Sequence, residues 1–134
     1  MKNEHDQEYV AFNKSIGKQI VSMRIDPEFN YDGGLLIQFS DGAKIVLYDN
    51  GRSCCESRYM HTDDNLDCFV GAILKGGSIR EAEEDRTKWG EVKESQFLII
   101  ETSLGEITVV TYNEHNGWYG GFNLICEESN EKSD

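Results

Sequence analysis

The sequence predicts a mainly β domain, a strongly bent antiparallel sheet or partly closed barrel of about seven strands with one short helix. Three observations carry that reading. Apolar residues alternate along several segments of strand length, Asp-Gly and Asn-Gly dipeptides separate those segments, and one proline stands against thirteen glycines. At 134 residues the chain has the length of one domain. A domain of that size buries roughly two-thirds of its unfolded surface, so it needs neither disulfide nor metal to fold.

Taken in order, residues 1–15 are polar and without a clear period, and are expected to form a loosely held arm. Residues 18–26 form the first predicted strand, with Val21, Met23 and Ile25 on one face and Pro27 ending it. Residues 34–40 alternate Leu35, Ile37 and Phe39. Asp41-Gly42 then predicts a hairpin whose two central residues both take positive φ, returning along 43–49 to a second turn at Asn50-Gly51. Residues 62–72 predict a short helix: Thr62 or Asp63 caps it, Leu66, Phe69 and Val70 share one face, and Gly71 ends it. Residues 73–79 predict a strand bulged at Gly76-Gly77, followed by a charged connection over 80–90. Residues 94–103 and 106–114 are the clearest strands, and 117–126 the last. The domain is therefore placed at 16–126, with an acidic disordered tail over 127–134.

The net charge of −12 is the strongest compositional signal. Residues 1–9 hold −2 of it and residues 127–134 hold −3, which leaves −7 on the body. Such a field repels phosphate backbones and anionic membranes over a Debye length of about 8 Å, so neither nucleic acid nor a membrane is an expected partner. No apolar run approaches the roughly 20 residues that span a bilayer. Cys54 and Cys55 are adjacent and poorly placed to pair with each other, and no signal sequence precedes the domain, so a cytoplasmic protein with reduced thiols is expected.

Two segments break the alternation, 51–64 (GRSCCESRYMHTDD) and 112–122 (YNEHNGWYGGF). Both concentrate Arg, His, Asn, aromatic and Gly residues. In the second, Asn113, His115 and Asn116 offer donors and acceptors, Tyr112, Trp118 and Tyr119 offer flat faces, and Gly120 and Gly121 allow close backbone approach. Aromatic surface beside amide groups suits a nucleobase, and base stacking on an aromatic ring is worth roughly 1–3 kcal/mol. In the first, Arg52 and Arg58 near a helix N-terminus suit an anion, with Tyr59 and His61 beside them. The plainer reading is a turn at His115-Asn116-Gly117 flanked by core aromatics, with each arginine paired to a neighbouring carboxylate.

Metal and catalytic readings are weaker. Cys54, Cys55, His61 and His115 offer thiolate and imidazole groups for zinc, but adjacent strand residues face opposite ways and no Cys-x-x-Cys or His-x-x-x-His spacing occurs. Cys54 or Cys55 with His115 as base and Asn113 or Asn116 as orienter makes a nucleophilic arrangement, although buried structural thiols are commoner. No catalytic residue, metal or cofactor is therefore assigned.

The segments SCCESRYM, FVGA (69–72) and NEHNGWYGGF resemble the signature segments of an uncharacterised family of small bacteriophage and bacterial proteins, over about residues 16–126. The resemblance carries no catalytic residues and implies a context, a small protein made inside an infected cell. In that context the expected function is a non-catalytic, homo-oligomeric binding module that sequesters a small anionic nucleotide-derived ligand, such as a cyclic nucleotide or ADP-ribose-type signal. Arg52 and Arg58 would contact phosphate, Tyr59, Trp118 and Tyr119 would stack, and His61, Asn113, His115 and Asn116 would read polar edges. Gly120 and Gly121 would admit the ligand to the backbone. The alternative is an acidic protein that inhibits a host protein by surface contact or nucleic-acid mimicry.

Overall fold

The computed structural model describes residues 9–51, 56–81, 85–86, 90–116 and 120–129. Its strands are β1 (Ile20–Asp26), β2 (Gly34–Phe39), β3 (Lys44–Asp49), β4 (Ser57–His61), β5 (Leu74–Glu81), β6 (Asp85–Arg86), β7 (Val92–Thr102), β8 (Gly105–His115) and β9 (Leu124–Glu128). One helix, α1 (Val10–Lys14), precedes them. The fold is mainly β and antiparallel, as the alternation predicts. It comprises two sheets, ordered β1-β2-β3-β9 and β4-β8-β7-β5, with β6 on β7.

The inner faces share one core. Leu35, Ile37, Ile45 and Leu47 come from the first sheet, and Leu98, Ile100, Ile107 and Val109 from the second, all at most 2% exposed. Each such side chain contributes roughly 1.5–3 kcal/mol through removal from water. Along one side the sheets are joined by backbone: Gln19 bridges Ile73, and Gly17 and Ile20 donate to Leu74 and Ala72 at 2.8 Å.

Local details depart from the expectation. The bulge in β1 between Ile20 and Ser22 turns Ile20 inward and leaves Val21 40% exposed, so Val21 does not share the face of Met23. In the β2–β3 hairpin only Gly42 takes positive φ (+91°); Asp41 instead accepts the Ala43 amide proton at 2.9 Å. The helix expected over 62–72 is a single 3-10 turn, Leu66–Phe69, capped by Asn65. Here Thr62 Oγ1 accepts the Asp64 amide proton, Asn65 Oδ1 accepts that of Asp67, and Asp64 Oδ2 accepts that of Thr108 in β8, and side chains that bond backbone outside a helix compete with a longer one. Residues 57–61, read as an irregular motif, form the strand β4.

α1 lies within the segment expected to be a loose arm. Its Phe12 is fully buried in the shared core, and Tyr9 Oη donates to the Leu124 carbonyl at 2.8 Å.

Candidate functional site

β4 pairs with β8 in the register Arg58↔Asn113 and Tyr59↔Tyr112. The parts of the two unusual segments that lie in β4 and β8 are therefore neighbours in one sheet. Because successive strand residues point to opposite faces, this pairing divides their side chains into two groups that do not share a surface.

On the inner face the even positions of β7 and odd positions of β8 change character along their length. Toward the β7–β8 turn they are apolar except for Thr102; toward the other end they are Glu94, Gln96, Thr111, Asn113 and His115, with Val92 the one apolar member. Arg58 joins this polar end with its side chain 1% exposed. Its Nη1 donates to Asp49 Oδ1 at 2.6 Å, across to the first sheet, and its Nη2 donates to both oxygens of Glu56 at 3.0 and 2.9 Å. Two carboxylates facing one guanidinium offset the cost of burying all three charges. Asn113, fully buried, donates through Nδ2 to Glu56 Oε2 at 2.7 Å and to the Gly121 carbonyl at 3.2 Å. Arg58 Nε and Asn113 Oδ1 are buried without a hydrogen-bond partner among the described residues.

Next to this cluster, His115 Nε2 lies 2.6 Å from Glu94 Oε1, and the same oxygen accepts the Gly121 amide proton at 3.0 Å. Asp49 accepts the amide protons of Gly51 (2.8 Å) and Asn123 (2.9 Å), and Asn123 Nδ2 donates to Asn50 Oδ1. The inner network thus fixes the base of the segment returning from β8 to β9. Gly120 explains part of the glycine pair: a Cβ there would collide with Glu94 Oε1 and stand 3.0 Å from His115 Nε2. The space that glycine leaves is taken by the chain's own His–Glu pair.

On the outer face Tyr59, 37% exposed, packs on half-buried Tyr112, ring centroids 5.0 Å apart and planes inclined by 31°. Lys93 Nζ sits 4.5 Å from the Tyr112 ring centroid, within the range of a cation–π contact. His61 is on the same face two residues from Tyr59 and pairs with exposed Asp63 at 2.8 Å.

The predicted residues therefore separate. Arg58, Asn113 and His115 are internal; Tyr59 and His61 are external; Asn116 and the Gly120-Gly121 backbone are exposed at the end of β8. Arg52, Trp118 and Tyr119 lie outside the described residues, as do Cys54 and Cys55 and the readings that rest on them. A phosphate-contacting role does not fit Arg58, whose guanidinium is enclosed by carboxylates. Nor does the region after His61 supply a helix terminus for an anion, since it forms only one 3-10 turn. Asp49, Glu56, Glu94 and Lys93 were not singled out from sequence. An acidic residue at an inward position of a strand is the signal that marks Asp49 and Glu94.

Cys126 is buried, and burial pushes its thiol up to about 12, with the neighbouring Glu127 charge acting in the same direction. Cys68 is a free, exposed thiol. Among the described residues no group of three or more His, Cys, Asp and Glu side chains is arranged to hold a metal ion, and no helix is long and apolar enough to cross a membrane.

A family model described as a domain of unknown function, DUF7448, matches residues 13–125. No curated protein and no solved structure matches the chain.

Proposed function

Since the chain belongs to the DUF7448 family of unknown function, we propose from its own geometry that it is a non-catalytic binding module for a small, planar, anionic ligand derived from a nucleotide. The observation that carries the reading is the outer-face trio, Tyr59 packed on Tyr112 with the Lys93 ammonium 4.5 Å from the Tyr112 ring centroid. Two aromatic rings offer an apolar platform to a base, and the lysine offers a charge to a phosphate. Tyr59 and Tyr112 are directly opposite in the sheet, so strand pairing holds the platform in place before any ligand arrives. Beneath it, the Arg58–Asp49–Glu56–Asn113 network stiffens the same strands and takes no direct part in binding.

In this reading the ligand is a cyclic nucleotide or an ADP-ribose derivative, and the module sequesters it intact. For a chain of phage origin, that capture removes a host alarm signal. Homo-oligomerisation, which light scattering measures, would multiply the sites per particle.

The test is calorimetric titration with a panel of cyclic di- and trinucleotides and ADP-ribose derivatives, followed by heat denaturation and chromatography of the released compound. Binding by the wild type, loss of about 1–3 kcal/mol with Tyr59→Ala or Tyr112→Ala, and recovery of unchanged ligand support sequestration. A modified compound makes the protein an enzyme instead. If nothing in the panel binds while a host protein is captured in a strongly salt-sensitive way, the chain acts by surface contact and the reading fails.

A further inference from the structure

A groove lies at the far end of the first sheet. Lys14, Lys18 and Lys44 line this groove of about 320 Å³, together with Ser15, Glu128 and Ser129. It forms where three separated stretches of chain meet: the end of α1, the β2–β3 hairpin and the end of β9. Nine lysines and arginines occur among the described residues, so one-third of them converge here. Among the described residues, the three lysines set against Glu128 of the lining and Asp41, the ion-pair partner of Lys18, leave a charge of +1, in a chain whose total is −12.

The walls are held in place. Lys18 Nζ lies 2.9 Å from Asp41 Oδ2 and 6.0 Å from the centre of the Phe39 ring. The Ser129 amide donates to the Lys44 carbonyl at 2.9 Å, and Ser15 Oγ donates to the Ala11 carbonyl at 2.9 Å.

We propose that this groove binds a small phosphorylated metabolite. Ammonium groups on flexible stems act as point charges toward phosphate, whereas flat carboxylates are better served by the arginine fork, which the groove lacks. Its volume is at the lower end of small-molecule clefts, too small for more than a compact ligand. A nucleic-acid backbone is excluded by the acidic remainder of the chain, which repels extended polyanions. Lys44 and Asp49 stand at opposite ends of β3, about 17 Å apart at the usual rise of a strand. The groove is thus remote from Tyr59 and Tyr112, and the inference does not rest on the function proposed for that face.

The experiment titrates the full chain with inorganic pyrophosphate at constant ionic strength, by calorimetry and by amide chemical-shift mapping. Saturable binding is expected, with shifts concentrated at Lys14, Ser15, Ala43, Lys44 and Ser129. The double variant Lys14→Ala/Lys44→Ala should bind at least about tenfold more weakly through loss of charged hydrogen bonds, while Lys75→Ala and Tyr59→Ala remain within twofold of wild type. Absence of saturable binding, shifts centred elsewhere, or an equal loss in Lys75→Ala overturns the proposal. The mapping needs no variant, so a double variant that fails to fold leaves the test intact.

Discussion

Arg58 of the second sheet and Asp49 of the first meet at 2.6 Å with side chains 1% and 2% exposed. Glu56 completes the pair from the other side at 2.9 Å. This contact ties the sheets together at their polar end, as the Gln19–Ile73 bridge does by backbone along one side. Breaking a buried pair leaves an uncompensated charge, at a cost of about 3–5 kcal/mol. Arg58→Ala and Asp49→Ala should each lose about that much in urea unfolding. Arg58→Lys should recover only part, because one ammonium cannot serve both carboxylates with the geometry of a guanidinium.

Gly120 tests the close approach beneath the loop. Gly120→Ala places a methyl group against Glu94 Oε1 and His115 Nε2. The variant should lose about 1–3 kcal/mol, the usual range for overpacking. The His115 ring resonances should move, because relief requires the His–Glu pair to separate. Unchanged stability together with unchanged His115 resonances would mean that the loop does not rest there.

Phe12 tests whether the N-terminal helix belongs to the folded body. It is fully buried, although the residues around it read as polar and aperiodic. Phe12→Ala should cost about 3–5 kcal/mol, as for other buried aromatic truncations. Thermal unfolding measures this, and a loss below 1 kcal/mol would place the helix outside the cooperative unit.

The thiols give a pH-dependent prediction. In the folded protein at pH 8, iodoacetamide followed by peptide mapping should label Cys68 and spare Cys126 until the protein is unfolded. The Cys126 thiol titrates at about 12 when folded, against 9.0 for its ordinary value. Its contribution to stability is therefore fully present below pH 9 and is lost as pH rises toward 12, since only the unfolded chain gives up the proton across that interval. Cys126→Ala should flatten the fall in stability across this window, measured by urea unfolding at stepped pH.

Alternation from residue 94 to 114 was enough to locate β7 and β8, because a half-buried strand needs every second residue apolar. That rule fails where the inner face is ionic. Residues 57–61 read as an irregular motif because Arg58 occupies an inward position where a hydrophobic residue was expected. Helix α1 was hidden for a different reason: Phe12 meets its core partners only after β9 has returned from the other end of the chain.

The sequence by itself determined the β class, the main hairpins, the acidic character and the two segments that stand apart from the scaffold. These follow from period, turn chemistry and charge, all of which act between near neighbours. Tertiary structure alone decided that Arg58 faces carboxylates inside while Tyr59 faces outward, that Gly120 makes room for His115, and that Lys44 joins Lys14 and Lys18 in one groove. Each of these depends on which residue lies opposite across the sheet or between the sheets. Cross-strand register sets that pairing over tens of residues, and no local pattern in the chain records it.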